Sequence, residues 1–321
     1  MRNILFPVLL VLALAVTACG GGNQQSAREN QPPAQENPQS AQGNEQPAQS
    51  GTITYESETG PIEVPADPQR VISLSGFTGN LMHLGVPVIG TDVWSKSAPQ
   101  FAEQLKDVEE VSEEGLEKII ELEPDLIIAL STTKNLDKMS QIAPTVSYTW
   151  GALNIFDMHI EVGKAVNKEQ EAREWVEGFR KRLEEAGAKI REKIGEDATV
   201  TVIEVYDKAI YVFGDNWARG TELLYQEMKL GMPEKVKENA LESGYYALSP
   251  EVLPEFVGDY LIISKYSNAD LSFQDTETYK NIPAVKNGRV LEMTGEGSSF
   301  SDPYTLGMQL ELFEDFFLNS P

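Results

Sequence analysis

Cysteine and histidine are almost missing: the 321 residues contain one Cys and two His. A disulfide framework within the chain and a structural zinc site of the Cys/His kind are thereby excluded, since both need several such residues. A mononuclear centre built on several His is all but excluded on the same count. Basic residues are scarce, 26 Lys and Arg against 50 Asp and Glu, for a formal net charge of -24. Sequence-independent nucleic-acid binding needs cations to neutralise phosphates, so that class is set aside. No apolar run is long enough to cross a bilayer. Ile4 to Val16 has 13 residues with Pro7 inside it, against the roughly 20 that a spanning helix takes. Gly-x-Ser-x-Gly, the nucleophile turn of one hydrolase class, is absent as well. What the chain does have is a 41% hydrophobic fraction, enough for a packed core. Its length fits two ordinary domains.

Arg2 ahead of the apolar run gives a thin positive n-region, so residues 1–18 read as a signal peptide. The run ends in Val16-Thr17-Ala18-Cys19-Gly20. A small residue, then Cys, then Gly at this place resembles the bacterial lipobox. The resemblance implies cleavage before Cys19 and lipidation of its thiol and new amine; an ordinary signal peptide with an incidental Cys19 is the alternative. Gly20 to Gly51 has no Val, Ile, Leu, Met or aromatic residue, so it cannot bury enough apolar surface to offset the entropy of ordering. Residues 19–51 are therefore expected to be a lipidated cysteine followed by a disordered polar tether, with a reach of roughly 30 Å as a flexible coil. Anionic lipid repels an acidic body. The expected membrane link is the lipid anchor alone, at the outer face of the cell membrane.

From Thr52 onward, short apolar runs alternate with helical patterns. Val71 to Leu74, Val88 to Gly90, Leu126 to Leu130 and Thr145 to Tyr148 read as strands. Asn80 to Gly85 reads as a helix end with a glycine cap, and Leu116 to Leu122 as a short helix broken by Pro124-Asp125. Glu161 to Ile194 differs: Val162, Val166, Trp175, Val176, Phe179, Leu183, Ala186 and Ile190 recur at spacings near three and four. That periodicity predicts one long amphipathic helix, starting near Asn154, with Trp175 in the core. Strands resume over Val200 to Tyr206, Ile210 to Phe213, Tyr260 to Ser264 and Arg289 to Met293, and Thr305 to Leu318 reads as the last helix. The fold class is α/β, with two lobes of mostly parallel sheet joined by one long helix and a ligand cleft between them. The lobes are placed at 52–153 and 197–321, with the connecting helix over 154–196.

One internal similarity bears on that organisation. Residues 116–128 overlay residues 250–262 at a constant offset of 134. Glu117 matches Glu251, Glu121 matches Glu255, and Asp125 matches Asp259. Both stretches read as short helix, breaker, Asp and buried strand. They are either two generic units or equivalent parts of two related lobes.

At this point the chain resembles a known family. The lipobox, tether, two lobes and connecting helix are similar to the helical-backbone class of ABC-importer substrate-binding proteins, which deliver iron-siderophores, haem or cobalamin. Arg70-Val71-Ile72-Ser73-Leu74, Leu122-Glu123-Pro124-Asp125-Leu126-Ile127-Ile128 and Asn281-Ile282-Pro283-Ala284-Val285 carry that likeness. Tyr211-Val212-Phe213-Gly214-Asp215-Asn216-Trp217-Ala218-Arg219-Gly220, Leu224-Tyr225-Gln226 and Ser301-Asp302-Pro303-Tyr304-Thr305-Leu306 narrow it to the ferric-hydroxamate binders of Gram-positive bacteria. The resemblance implies ligand contacts from Trp217, Arg219 and Tyr211. It also implies an aromatic at position 150, where this chain has Trp150, and one just before the Asp-Pro-Tyr-Thr run, where the candidates are Ser299 and Phe300. Lys96, Thr132 and Tyr304 join as further candidates, as do Phe77 and Trp94, which follow strands and are weighed against core packing. No cofactor and no direct metal ligand is implied, because the siderophore holds the iron. Glu117 and Glu251 are implied as permease-docking carboxylates, one per lobe; helix capping is the bland alternative. The implied partners are the permease and ATPase of the importer, and the protein is expected to be a monomer.

Charge supports hydroxamate over catecholate. Three hydroxamates cancel Fe³⁺, whereas a triscatecholate complex keeps about three negative charges and calls for clustered cations. Here only Arg219, with Lys96 and Lys134 in support, is on offer. Citrate-type and catecholate siderophores, cobalamin and haem, the last with Tyr211 as axial ligand, stay as alternatives. A surface hydrolase or sensor is the remote one. Ser131-Thr132-Thr133-Lys134 matches S-x-x-K, and Tyr266-Ser267-Asn268 resembles a second motif of penicillin-recognising enzymes, but no K-T-G follows and the run sits in a loop after a buried strand. The chain is therefore not expected to be an enzyme. His83 and His159 read as core or surface residues.

Overall fold

In the computed structural model the described residues are 51–319. The signal peptide, Cys19 and all of the tether but Gly51 lie outside them. The strands run in chain order as β1 (Thr52–Ser57), β2 (Gly60–Pro65), β3 (Val71–Ser73), β4 (Val88–Thr91), β5 (Glu109–Glu110), β6 (Leu126–Leu130) and β7 (Thr145–Tyr148), then β8 (Val200–Tyr206), β9 (Ala209–Phe213), β10 (Tyr245–Leu248), β11 (Tyr260–Lys265) and β12 (Val290–Thr294). β1 and β2 form an antiparallel hairpin. The first sheet has the order β5-β4-β3-β6-β7 and the second β10-β9-β8-β11-β12.

The first sheet is parallel throughout. Its central strands are apolar on both faces because both faces are covered. Val71, Leu126, Ile128 and Val146 pack on one side with Val162 and Ala165, while Ile72, Ile127 and Ala129 pack on the other with Ile119 and Met139. The second sheet is parallel only across β8, β11 and β12; β9 and β10 pair antiparallel. The two-residue loop Asp207-Lys208 explains this. It is too short for a crossover and long enough for a hairpin, and Asp207 supplies a φ of 51°.

The long helix spans Glu169–Ile194, 26 residues. The residues before it form a separate helix, Ile155–Ala165, capped by Asn154, whose side chain accepts from the backbone N–H groups of Phe156 and Asp157. The continuous 154–196 helix is thus corrected to two. Asn167 takes a φ of 57°, and the Lys168 N–H turns back to the Gly163 carbonyl at 2.7 Å. The near-continuous apolar periodicity hides the break, because the two helices pack mainly on different sheets while Phe156 of the first joins the second core and Ala172 of the long helix joins the first. Val162 and Ala165 serve the first, whereas Val176, Phe179, Leu183 and Ile190 serve the second together with Leu310 and Phe313 of the final helix, Pro303–Asn319.

The 116–128 and 250–262 stretches occupy matching places. Asp125 accepts from the N–H groups of Gln69 (2.6 Å) and Arg70 (3.0 Å) at the entry to β3. Asp259 accepts from the N–H and hydroxyl of Thr199, both at 2.9 Å, at the entry to β8. Each Asp directly precedes the parallel neighbour of the strand it holds. The likeness stops at the preceding helix: Leu116–Glu121 is α-helical, but the counterpart is a 3-10 turn, Leu253–Glu255, so Glu251 lies in a turn ahead of it rather than in a first helical turn.

Candidate functional site: a cleft between two sheets

The loops that leave the carboxyl ends of the parallel strands, joined by the turn that follows antiparallel β9, converge on a cleft of about 840 Å³. Such ends are where open α/β sheets present ligand sites, since side chains there escape the packed layers. Ser75, Gly76 and Phe77 follow β3; Asp92 and Trp94 follow β4; Trp150 to Ile155 follow β7. Across from them stand Asn216 to Arg219 after β9, Tyr266 after β11, and Glu296 with Ser299 to Ser301 after β12.

Six aromatic side chains stand in the walls: Phe77, Trp94, Trp150, Trp217, Tyr266 and Phe300. Trp150 and Trp217 meet edge to face at 6.1 Å, one from each side, and Trp217 also leans on Tyr245 at 5.3 Å. Gly244 makes room for that indole: a Cβ there would lie 2.4 Å from Trp217 Cε3. Phe77 packs on Tyr148, and Phe300 on Phe101 at 5.6 Å. Trp94 and Trp150 are 57% and 60% exposed, an unusual state for indoles outside a binding surface. Ser299 and Phe300 both line the cleft; the Ser299 hydroxyl meets the Tyr266 hydroxyl at 2.8 Å, and Phe300 supplies the aromatic face.

Four sequence candidates are not among the lining residues. Tyr211 packs edge-on against Tyr245 at 5.9 Å. Lys96 turns its ammonium to the carbonyls of Leu105 and Val108. Thr132 is exposed away from the lining. Tyr304 stands behind the wall, edge-on to His83 and Phe101. The S-x-x-K run has no nucleophile arrangement: Lys134 pairs with Glu113 and Glu114, and Ser131 Oγ meets Thr149 Oγ1 at 3.1 Å.

Arg219 lines the cleft, but its fork is already occupied. Nε and Nη2 donate to Glu204 at 2.7 and 3.0 Å, and Nη1 donates to the Trp217 carbonyl at 3.0 Å. The guanidinium also lies over Phe213, 4.8 Å from the ring centre. Ala218, Arg219 and Gly220 have φ of 58°, 55° and 79° in succession. A left-handed non-glycine residue costs about 1–2 kcal/mol, so the turn needs its supports. Ala218 N–H donates to Glu222 Oε1, Thr221 Oγ1 to the Ala218 carbonyl, and Arg219 N–H to the Ser298 carbonyl. Glycine is required at 220, where a Cβ would lie 2.4 Å from Phe313. Burial pushes the Glu222 carboxyl above its ordinary range, against the pull of those bonds and of Arg219.

Glu204, Glu222, Asn80, Gln226 and Tyr266 were not among the candidate ligand contacts, although Gln226 and Tyr266 lie in motifs noted from the sequence. For Glu204 a signal existed: it is the lone charge in the buried strand Val200 to Tyr206, and such a charge must be paired. Asn80 lines the cleft and holds His159 from behind, Oδ1 to Nδ1 at 2.8 Å. His159 is 1% exposed and packs with His83 and Trp175 at centroid distances of 5.1 Å each. Burial, then the neighbouring His83, lowers the His159 pKa to about 3, and burial lowers that of His83.

Comparison with known proteins places this geometry. Residues 79–296 match the family model described as periplasmic binding protein. The chain is similar to the iron(3+)-hydroxamate-binding protein FhuD of Bacillus subtilis (strain 168), 32% identical over 317 residues, 97% of this chain and 95% of that one. It is also similar to the crystal structure of a FhuD fold-family periplasmic binding protein from Bacillus subtilis, a component of a Fep/Fec-like ferrichrome ABC transporter. There the identity is 32% and the TM-score 0.76, over 83% of this chain and 100% of that one. Staphylococcus aureus FhuD2 with bound ferrioxamine B gives 26% identity and a TM-score of 0.75, over 79% and 99%.

Proposed function

The chain belongs to the periplasmic binding protein family, and from that premise we propose that it captures an iron(III)-siderophore of the hydroxamate type outside the cell and hands it to the permease and ATPase of an ABC importer. It is a binding protein and not an enzyme, as are the relatives compared above. One observation carries the ligand class: an aromatic-bearing cleft whose single cationic side chain among the described residues, Arg219, is already paired with Glu204. Flat, amphipathic rings suit a compact chelate with an apolar body and polar rim. Without free cations the cleft has nothing to offset a triply charged complex. Trp150, Trp217 and Phe300 are the contacts proposed to hold the ligand, with Phe77 and Trp94 beside them and Arg219 donating to the hydroxamate oxygens.

Titration of tryptophan fluorescence tests this. A ferric trishydroxamate should quench saturably through Trp150 and Trp217, the iron-free siderophore far less, and a ferric triscatecholate least. Equal response to all three overturns the hydroxamate reading.

The docking and anchoring roles belong to the same proposal. Glu117 and Glu251 are exposed, one per lobe, and neither is in a salt bridge among the described residues. The Ser249 hydroxyl holds the Glu251 carboxyl below its ordinary value, so it is charged at neutral pH. Exposed carboxylates of this kind give orientation and on-rate more than affinity. Glu117→Ala with Glu251→Ala should leave ligand binding intact and cut cellular uptake, each single change being milder. Normal uptake by the double variant at normal surface abundance removes the docking role. Lipidation of Cys19, with anchoring at the outer face of the membrane, is tested by Cys19→Ala, which should release the protein into the medium.

A further inference from the structure

Among the described residues that line the cleft, Arg219 alone has a cationic side chain, whereas Asp92, Glu222 and Glu296 bring carboxyl groups. A guanidinium carries five N–H donors. Three are used within the protein, two on Glu204 and one on the Trp217 carbonyl. Glu204 does not itself line the cleft: it is 6% exposed and sits on β8 behind Arg219. Its carboxylate is held in turn by the Ser264 hydroxyl at 3.2 Å, and Ser264 meets the Ser298 hydroxyl at 2.9 Å. The Ser298 carbonyl accepts from Arg219 N–H at 3.0 Å, closing the circuit. The strained left-handed turn at 218–220 is therefore spent on seating Arg219 against Glu204, leaving part of the guanidinium edge for the ligand.

That arrangement has an electrostatic consequence. A free arginine at this place would attract anions. A bidentate pair is neutral as a unit and still presents donors, so it favours a neutral acceptor and leaves the nearby carboxyl groups uncompensated toward an anion. We propose that Glu204 is a positioning residue that sets specificity: by neutralising Arg219 behind the cleft wall, it admits electrically neutral ferric chelates and turns away anionic ones. The proposal rests on the siderophore reading above and deepens it to a rule of ligand charge.

The test compares two probes, a ferric trishydroxamate and a ferric triscatecholate, by fluorescence titration of the full folded chain. In Glu204→Gln the ratio of catecholate Kd to hydroxamate Kd should fall at least about tenfold, the scale expected for removing one unit charge about 10 Å from a triply charged ligand at water-like dielectric. Glu204→Asp keeps the charge and should hold the ratio within about twofold of wild type, even where both affinities drop. A ratio unmoved in Glu204→Gln, or moved equally in Glu204→Asp, overturns the proposal, because a purely structural role predicts one of those outcomes. Should Glu204→Gln fail to fold, a salt series on the wild type decides. Catecholate binding that weakens with added salt means that Arg219 acts as a free cation and overturns the proposal; binding that is flat, strengthened or below detection supports it. Loss of hydroxamate binding by the wild type overturns the siderophore reading and this proposal together. A failed ratio with that binding intact overturns this proposal alone.

Discussion

The two lobes share a frame and differ in what they hang on it. In each sheet the third and fourth strands are parallel neighbours, and an Asp directly before the fourth ties down the entry to the third: Asp125 for β3, Asp259 for β8. Beyond that point they diverge. The first lobe faces the cleft with Ser75, Gly76, Phe77, Asn80 and Asp92, and its ion pairs, such as Lys134–Glu114, lie at the surface. The second lobe replaces parallel edge strands with a hairpin, and from the end of that hairpin it builds a strained turn around a buried ion pair. Matching frames thus carry unlike chemistry because the frame is made by packed strands and the chemistry by the loops leaving them.

The sharpest way to break the comparison is to remove a cation from each lobe. Arg219→Ala leaves Glu204 buried without its partner, and should cost about 3–5 kcal/mol of stability in a urea titration. Lys134→Ala, in an exposed pair, should leave the midpoint unchanged within error. Loss of ligand binding in Arg219→Ala therefore reports folding before it reports contact. An Arg219→Ala protein as stable as the wild type would show that the buried pair is dispensable.

A smaller effect tests the shared frame. Asp125→Ala and Asp259→Ala should each cost about 1–2 kcal/mol, the scale for charge-assisted bonds to partly exposed backbone groups. Similar losses support the equivalence of the two stretches. A loss confined to one lobe reduces the repeat to a coincidence of pattern.

The effect that is smallest near neutral pH concerns the histidines behind the first lobe's wall. His159 and His83 have folded pKa values below the ordinary 6.5, His159 at about 3. The unfolded chain then binds more protons than the folded one below pH about 6.5, so stability falls as pH drops through that window, by about 1.4 kcal/mol per unit and per proton taken up. His159→Gln, compared with wild type between pH 5 and 7, should flatten that slope. Identical slopes would mean that His159 is protonated without loss of packing.

Much of the frame was legible because strands buried on both faces are near-continuous apolar runs. Leu126–Leu130 and Thr145–Tyr148 coincide with the strands read from sequence, and Val200–Tyr206 does too. The break at Asn167 was not legible, since helices docked on different sheets can share one apolar period. Trp150, Trp217 and Phe300 became candidates through the family resemblance alone, and they do line the cleft. Tyr211 and Tyr304 carry the same kind of signal and pack beside or behind the wall instead. Spacing along a chain specifies which face of an element a residue takes, and says nothing of the face's distance from a loop far away in sequence.

By itself the sequence determined the α/β class, the acidic charge, the absence of a Cys/His metal site and the run of residues around Trp217 and Arg219, because composition and short-range periodicity are properties of the chain alone. Only the tertiary structure decided what Arg219 is free to do. Its partner Glu204 lies 15 positions away on a strand whose apolar neighbours mark it as a charge that needs a partner without saying which. The pairing exists because β8 and the turn after β9 are brought together by the hairpin, with a backbone conformation at 218–220 that local preference alone would not choose.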